Sequence, residues 1–169
     1  MRIRLGFLTV LLFLAAVRAA DDPFLTPNGV ARPATLTYAE TEKKSGSTDE
    51  WTRRISVEVT PDGISALRVE HRGGREILRN RLWLTEVQYR TFTDILRRNG
   101  LLELREADLG MRGFESNPCE IRVSLPGAPE WLLRFTALQA GRRRELQTIR
   151  QAFLDLVPPV DEHHRHDTY

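Results

Sequence analysis

The sequence predicts an α+β domain in two layers: a mostly antiparallel sheet with two helices on one face, ordered strand meander, helix, hairpin, helix. Three observations lead there. Several segments alternate apolar and polar residues with a period of two. Two later segments carry apolar residues at helical spacing, the first with start and stop signals at its ends. The order of these segments, strands before each helix, suits helices packed on an antiparallel sheet.

The elements follow in chain order. Residues 20–33 carry three prolines and little periodicity, and read as an N-terminal extension to a domain over 34–157. Residues 34–41 (ATLTYAET) alternate as a strand does. The polar stretch 43–50 is a loop. From Trp51 to Thr60 the alternation is clearest: Trp51, Arg53, Ile55, Val57 and Val59 share one side. Pro61-Asp62-Gly63 is a turn, because proline presets φ and glycine accepts a positive value. Ile64 to His71 returns as the antiparallel partner, with Leu67 and Val69 expected on its apolar side. Gly73-Gly74 turns again, and Glu76 to Trp83 forms the next strand.

Thr85 and Gln88 have the spacing of a capping box, and Leu84 with Tyr89 that of a hydrophobic staple. Tyr89, Phe92, Ile95 and Leu96 then gather on one helical face. Asn99-Gly100 ends the helix through a left-handed glycine, and Leu101, Leu102 and Leu104 fold back on the core. Residues 105–117 read as a loop. Cys119, Ile121, Val123 and Leu125 alternate inward along a strand, and Trp131 to Leu138 is its hairpin partner. Arg142 to Val157 is the last helix, with Leu146, Ile149, Phe153 and Leu156 as its apolar stripe, and Pro158-Pro159 stops it. Residues 158–169 are a polar, His-rich tail, expected to be disordered.

The N-terminus is expected to be an export signal. Arg2 and Arg4 precede thirteen uncharged residues, Leu5 to Val17, which suit a signal sequence and fall short of the roughly 20 needed to span a bilayer. Val17-Arg18-Ala19 places small residues for a cut after Ala19, so residues 1–19 are expected to be removed, leaving no stable membrane anchor and a periplasmic or secreted protein. Three of the 25 basic residues lie in that segment and none of the 23 acids, so the remaining chain holds 22 basic against 23 acidic side chains. A near-neutral domain gives no electrostatic case for nucleic acid as partner. Cys119 is the single cysteine, so no intrachain disulfide can form.

The hairpin around Pro61-Asp62-Gly63, the Leu84-Thr85 entry to a helix with Tyr89 and Phe92, the Asn99-Gly100-Leu101 exit, and a second hairpin and closing helix together resemble small bacterial domains of the emfourin type. Some of these inhibit thermolysin-like metalloproteases, and several exported bacterial families share the layout. The resemblance spans about residues 51–157. It implies an exported binding domain, with protease inhibition as the specific version. The Gly-rich segment that such domains carry near their first strand has no clear equivalent here, and no functional residue is carried over.

No catalytic or cofactor-binding constellation emerges from the sequence. Cys119 falls on the inward side of its strand, which favours a structural thiol over a nucleophile partnered by His71. His163, His164 and His166 form the one metal-like cluster, as imidazoles suit Zn²⁺, Cu²⁺ or Ni²⁺, but a tail is not a preformed site. Arg142, Arg143 and Arg144 at the start of the last helix oppose its dipole and are a candidate patch for acidic groups; a solvated cluster offset by Glu145 is the plainer account. Core packing explains Trp51, Trp83 and Trp131 better than a carbohydrate-stacking platform. The expectation is a small non-catalytic domain that binds another protein, with loops 43–50 and 105–117 as contact regions. The alternatives are a small envelope enzyme using Cys119 and metal binding through the tail.

Overall fold

The computed structural model describes residues 22–43, 50–109, 117–136 and 142–159. Its strands are β1 (Ala34–Lys43), β2 (Glu50–Thr60), β3 (Gly63–Arg72), β4 (Arg75–Leu84), β5 (Pro118–Ser124) and β6 (Trp131–Thr136), and its helices are α1 (Glu86–Arg98) and α2 (Arg143–Leu156). All six strands pair antiparallel in one sheet of order β4-β3-β2-β1-β5-β6. The first four strands form a meander. The chain then passes through α1 and returns on the far side of β1, so that the first strand lies inside the sheet between β2 and β5. The export signal over 1–19, the interior of loop 43–50, residues 110–116 and the tail beyond Pro159 lie outside the described residues.

Register decides which side chains are buried. The two-residue turn at Pro61-Asp62 pairs Thr60 with Gly63, and Gly63 takes φ +139°, which disfavours a side chain. Counting back along β2 and forward along β3 then pairs Val59 with Ile64, Val57 with Ala66, Ile55 with Arg68 and Arg53 with Glu70. Ile64, Ala66, Arg68 and Glu70 are all buried. Leu67 and Val69 therefore point to the opposite face, where they are half-buried; this corrects the expected phase of β3. The physical reason is that a tight turn and the period of two leave a strand no freedom to choose its more apolar side.

One core joins the buried side chains of the sheet to both helices. Phe153 of α2 stands at its centre, with its ring 5.7 Å from Tyr38 of β1 and 5.0 Å, edge-on, from Phe92 of α1. The capping box of α1 is complete: Gln88 N–H donates to Thr85 Oγ1 at 3.2 Å and Thr85 N–H to Gln88 Oε1 at 2.9 Å. Gly100 closes the helix at φ +65°, and Leu101 and Leu104 turn back into the core. Residues 22–33 are docked by Phe24, which is buried, while Asp22 Oδ1 accepts from the Phe24 and Leu25 N–H groups.

The two sheet edges are handled differently. On β6 the Arg134 N–H donates to Glu106 Oε1 at 3.1 Å, so a carboxylate occupies one edge position. The β4 edge carries Arg75, Arg79 and Arg81, charges that discourage pairing with another copy.

Candidate functional site

The helix-side face of the sheet ends in a row of polar side chains rather than apolar ones. Register aligns Cys119, Glu40, Arg53 and Glu70 across β5, β1, β2 and β3. Glu40 is only 3% exposed. Its carboxylate accepts from Tyr38 Oη at 2.8 Å, takes two bonds from Arg150 Nη2 at 2.8 and 3.0 Å, and lies 3.5 Å from Arg53 Nη1. Arg150 comes from α2, and its Nε also donates to Tyr38 Oη at 3.0 Å. Next along the row, Glu70 Oε1 accepts from Arg53 Nε at 2.9 Å and Arg68 Nε at 2.7 Å. Arg68 Nη1 donates to the Val157 carbonyl at 2.9 Å, bringing a cation to the C-terminal end of α2, whose own last turn has none. Asn80 of β4 donates to the Pro158 carbonyl at 3.0 Å. Three arginines and two glutamates thus tie three strands to the last helix, and Asn80 adds β4.

This cluster is built for holding rather than for reacting. Burial works to raise the Glu70 carboxyl, but the hydrogen bonds and charges of Arg53 and Arg68 outweigh it and hold the group below its ordinary value of 4.5. A carboxylate so stabilised is a weak base and is not available as an acid near neutrality. Burial, reinforced by the Cys119 and Glu40 groups, drives the Tyr38 hydroxyl far above its usual range.

Cys119 sits at the end of the same row, 3% exposed, with Sγ 3.6 Å from Tyr38 Oη and 3.6 Å from the Asn117 carbonyl. Burial, together with the Glu40 charge, pushes its thiol up to about 11, against the lowering hydrogen bond from Tyr38 and charge of Arg150. At pH 7 about one thiol in ten thousand is then ionised. His71 lies on the opposite face, paired with Thr52 and Glu76, so the sheet separates the two. A thiol reagent added to the native protein is expected to leave Cys119 unmodified over the time in which the urea-unfolded chain reacts fully, as followed by mass spectrometry. Equal rates would return Cys119 to the list of candidate nucleophiles.

The opposite face of the sheet is different in kind. Its described side chains are half-buried or exposed, apart from Thr136 at the end of β6. A shallow groove of about 900 Å³ runs over it, floored by Thr37, Ala39, Ser56, Leu67 and Val69. Small hydroxyl-bearing side chains form its centre, and the two aliphatic residues displaced by the phase of β3 form a ledge on one side. Charged side chains border it, Arg54, Arg79 and Arg122 with Glu58 and Glu120, and register places Arg81 and Arg134 next to them on the same face. Trp83, at the end of β4, is 65% exposed and lies against Gly63, which corrects its expected place in the core; Trp51 and Trp131 are half-buried. Trp51 carries the Arg53 guanidinium 4.2 Å over its ring.

The other sites expected from sequence are the arginine run at the start of α2 and the histidine tail. Arg142 takes the left-handed conformation at φ +52° before α2 and pairs with Glu145 at 3.2 Å, while Arg143 and Arg144 are exposed. His163, His164 and His166 lie outside the described residues, and among the described residues no three His, Cys, Asp or Glu side chains converge as metal ligands. Among the described residues, too, no helix is long and apolar enough to cross a membrane. The buried charge row was not anticipated. Its signal was Arg53 on the inward side of β2, which demands a buried acid opposite. No protein-family model and no curated protein matches the chain.

Proposed function

We propose that this chain is an exported, non-catalytic domain that binds another protein through the open face of its sheet, with both helices layered behind. The observation that carries this reading is the groove itself: half-buried, floored by small and aliphatic side chains, and bordered by charged ones, arginines foremost. A concave surface that sets an apolar ledge within a polar and charged surround has the make-up of a contact site. Tyr38, Glu70 and Cys119 support the non-catalytic part, because each is held in a form that transfers no proton and attacks no carbon near neutrality. Export rests on the signal at residues 1–19; N-terminal sequencing of the exported protein is expected to begin at Ala20, and retention of Met1 would contradict it.

The test places a photo-crosslinking residue at Ser56, on the groove floor, or at Gln151, exposed on α2, and exposes the cell envelope to light. A discrete adduct from the Ser56 position alone is expected; equal adducts from both, or none, would overturn the reading. Protease inhibition is its specific version, supported by the resemblance of the layout to emfourin-type domains. Thermolysin-like proteases should lose activity at micromolar protein, and unchanged activity across a panel sinks that version while leaving the crosslinking result to stand.

A further inference from the structure

The charges on the open face are not equally available. Glu120 meets Arg122 and Arg134, Glu130 meets Arg122 again, and Glu76 meets Arg79. Arg54 and Arg81 meet no carboxylate among the described residues, and both are exposed. Their register places them on either side of the aliphatic ledge: Arg54 of β2 pairs with Val69, and Arg81 of β4 pairs with Leu67. Two strand spacings and a two-residue offset separate them by roughly 12 Å. Four residues of an extended chain span roughly 13 Å, and residues i, i+2 and i+4 share one face.

We propose, resting on the reading that this face is the contact surface, that its partner presents an extended acidic segment of pattern acid-x-apolar-x-acid, with the two carboxylates on Arg54 and Arg81 and the apolar side chain on Leu67 and Val69. Arg–carboxylate pairing supplies the directional part of the contact, and the ledge supplies the apolar part. Glu58 fixes the position. It lies four residues beyond Arg54 on β2, beside Ser65 and Thr35, with no basic partner among the described residues. A carboxylate shifted toward that end meets like charge. A second copy of this chain brings the same surplus of arginine, and an acidic polysaccharide brings carboxylates without an apolar side chain for the ledge.

Fluorescence anisotropy at low salt tests this with three labelled probes: a blocked peptide Thr-Asp-Thr-Leu-Thr-Glu-Thr, its Asn/Gln counterpart, and oligogalacturonate. The acidic peptide is expected to bind at least tenfold more tightly than its amide counterpart. Arg54→Ala and Arg81→Ala are each expected to weaken it about fivefold to tenfold, while Arg143→Ala leaves it unchanged. Thermal melts of the exposed-site variants should match the parent. Equal binding of the amide peptide, no binding of the acidic one, indifference to both arginines, or tighter binding of oligogalacturonate would overturn the acidic-segment inference. If the Ser56 crosslink still forms in that case, the open face remains the contact surface and only its partner chemistry is wrong. If it does not, both fail.

Discussion

Glu40→Ala is expected to cost about 3–5 kcal/mol of folding stability, measured by urea denaturation, because it strands charges that burial has already desolvated. Arg150 loses both of its carboxylate bonds, Tyr38 loses its acceptor, and Arg53 loses one of its two acids. The size of the effect comes from what is left behind, not from what the ion pair contributes. Glu40→Gln keeps the volume and one acceptor oxygen, so it is expected to fall between the parent and the alanine variant. The double variant Glu40→Ala with Arg150→Met should recover part of the loss, since it removes one of the stranded charges and puts apolar volume in its place. A loss below about 1 kcal/mol for Glu40→Ala would mean that water reaches the row and screens it, as at a surface pair.

The same row gives the domain an acid limit. Glu70 is held below 4.5 by Arg53 and Arg68, so its charged form is favoured in the folded state. The stability this supplies is complete above the unfolded value near 4.5 and is lost as the pH falls through the lower folded value. Melting temperature should therefore be flat from pH 7 to about 5 and fall below it. Glu70→Gln is expected to lie lower at pH 7 and to flatten that fall.

How much of this was legible in the sequence depended on how far apart in the chain the cause lay. Both ends of α1 were readable because each is settled within four residues, by Thr85 with Gln88 and by Asn99-Gly100. The β2–β3 turn was equally local. Apolar character points Leu67 and Val69 inward, but the turn fixes the phase of β3 and sends them to the opposite face. Seven residues back from Thr60 lies Arg53, and seven forward from Gly63 lies Glu70, so their pairing followed from the turn alone. The contribution of Arg150 could not be reached that way. It lies 110 residues from Glu40 and meets it only because β5 and β6 add to the far side of β1 and α2 returns over the row. The open face was hidden for the same reason, since Arg54, Val69, Leu67 and Arg81 come from three strands.

Phe153→Ala is expected to be as damaging as the loss of Glu40, at about 3–5 kcal/mol, by a different mechanism. Phe153 is fully buried, and its ring is the point where β1, α1 and α2 meet. Truncation removes the apolar surface of one ring and leaves a cavity that Tyr38 and Phe92 cannot close, because Tyr38 is held by Glu40 and Arg150 and Phe92 by the capped helix. Phe153→Leu keeps most of the volume and is expected to cost less than half as much, though it forfeits the edge-on contact with Phe92, worth about 0.5–1.5 kcal/mol. The core and the charge row differ in their dependence on acid. The Phe153→Ala deficit should persist at pH 3.5, whereas the Glu70→Gln deficit should be smaller there than at pH 7, as the parent's Glu70 loses its charged form toward its lowered folded value. If both deficits shrink together, α2 is held by the charge row more than by its aromatic seat, and the core argument made for Phe153 is wrong.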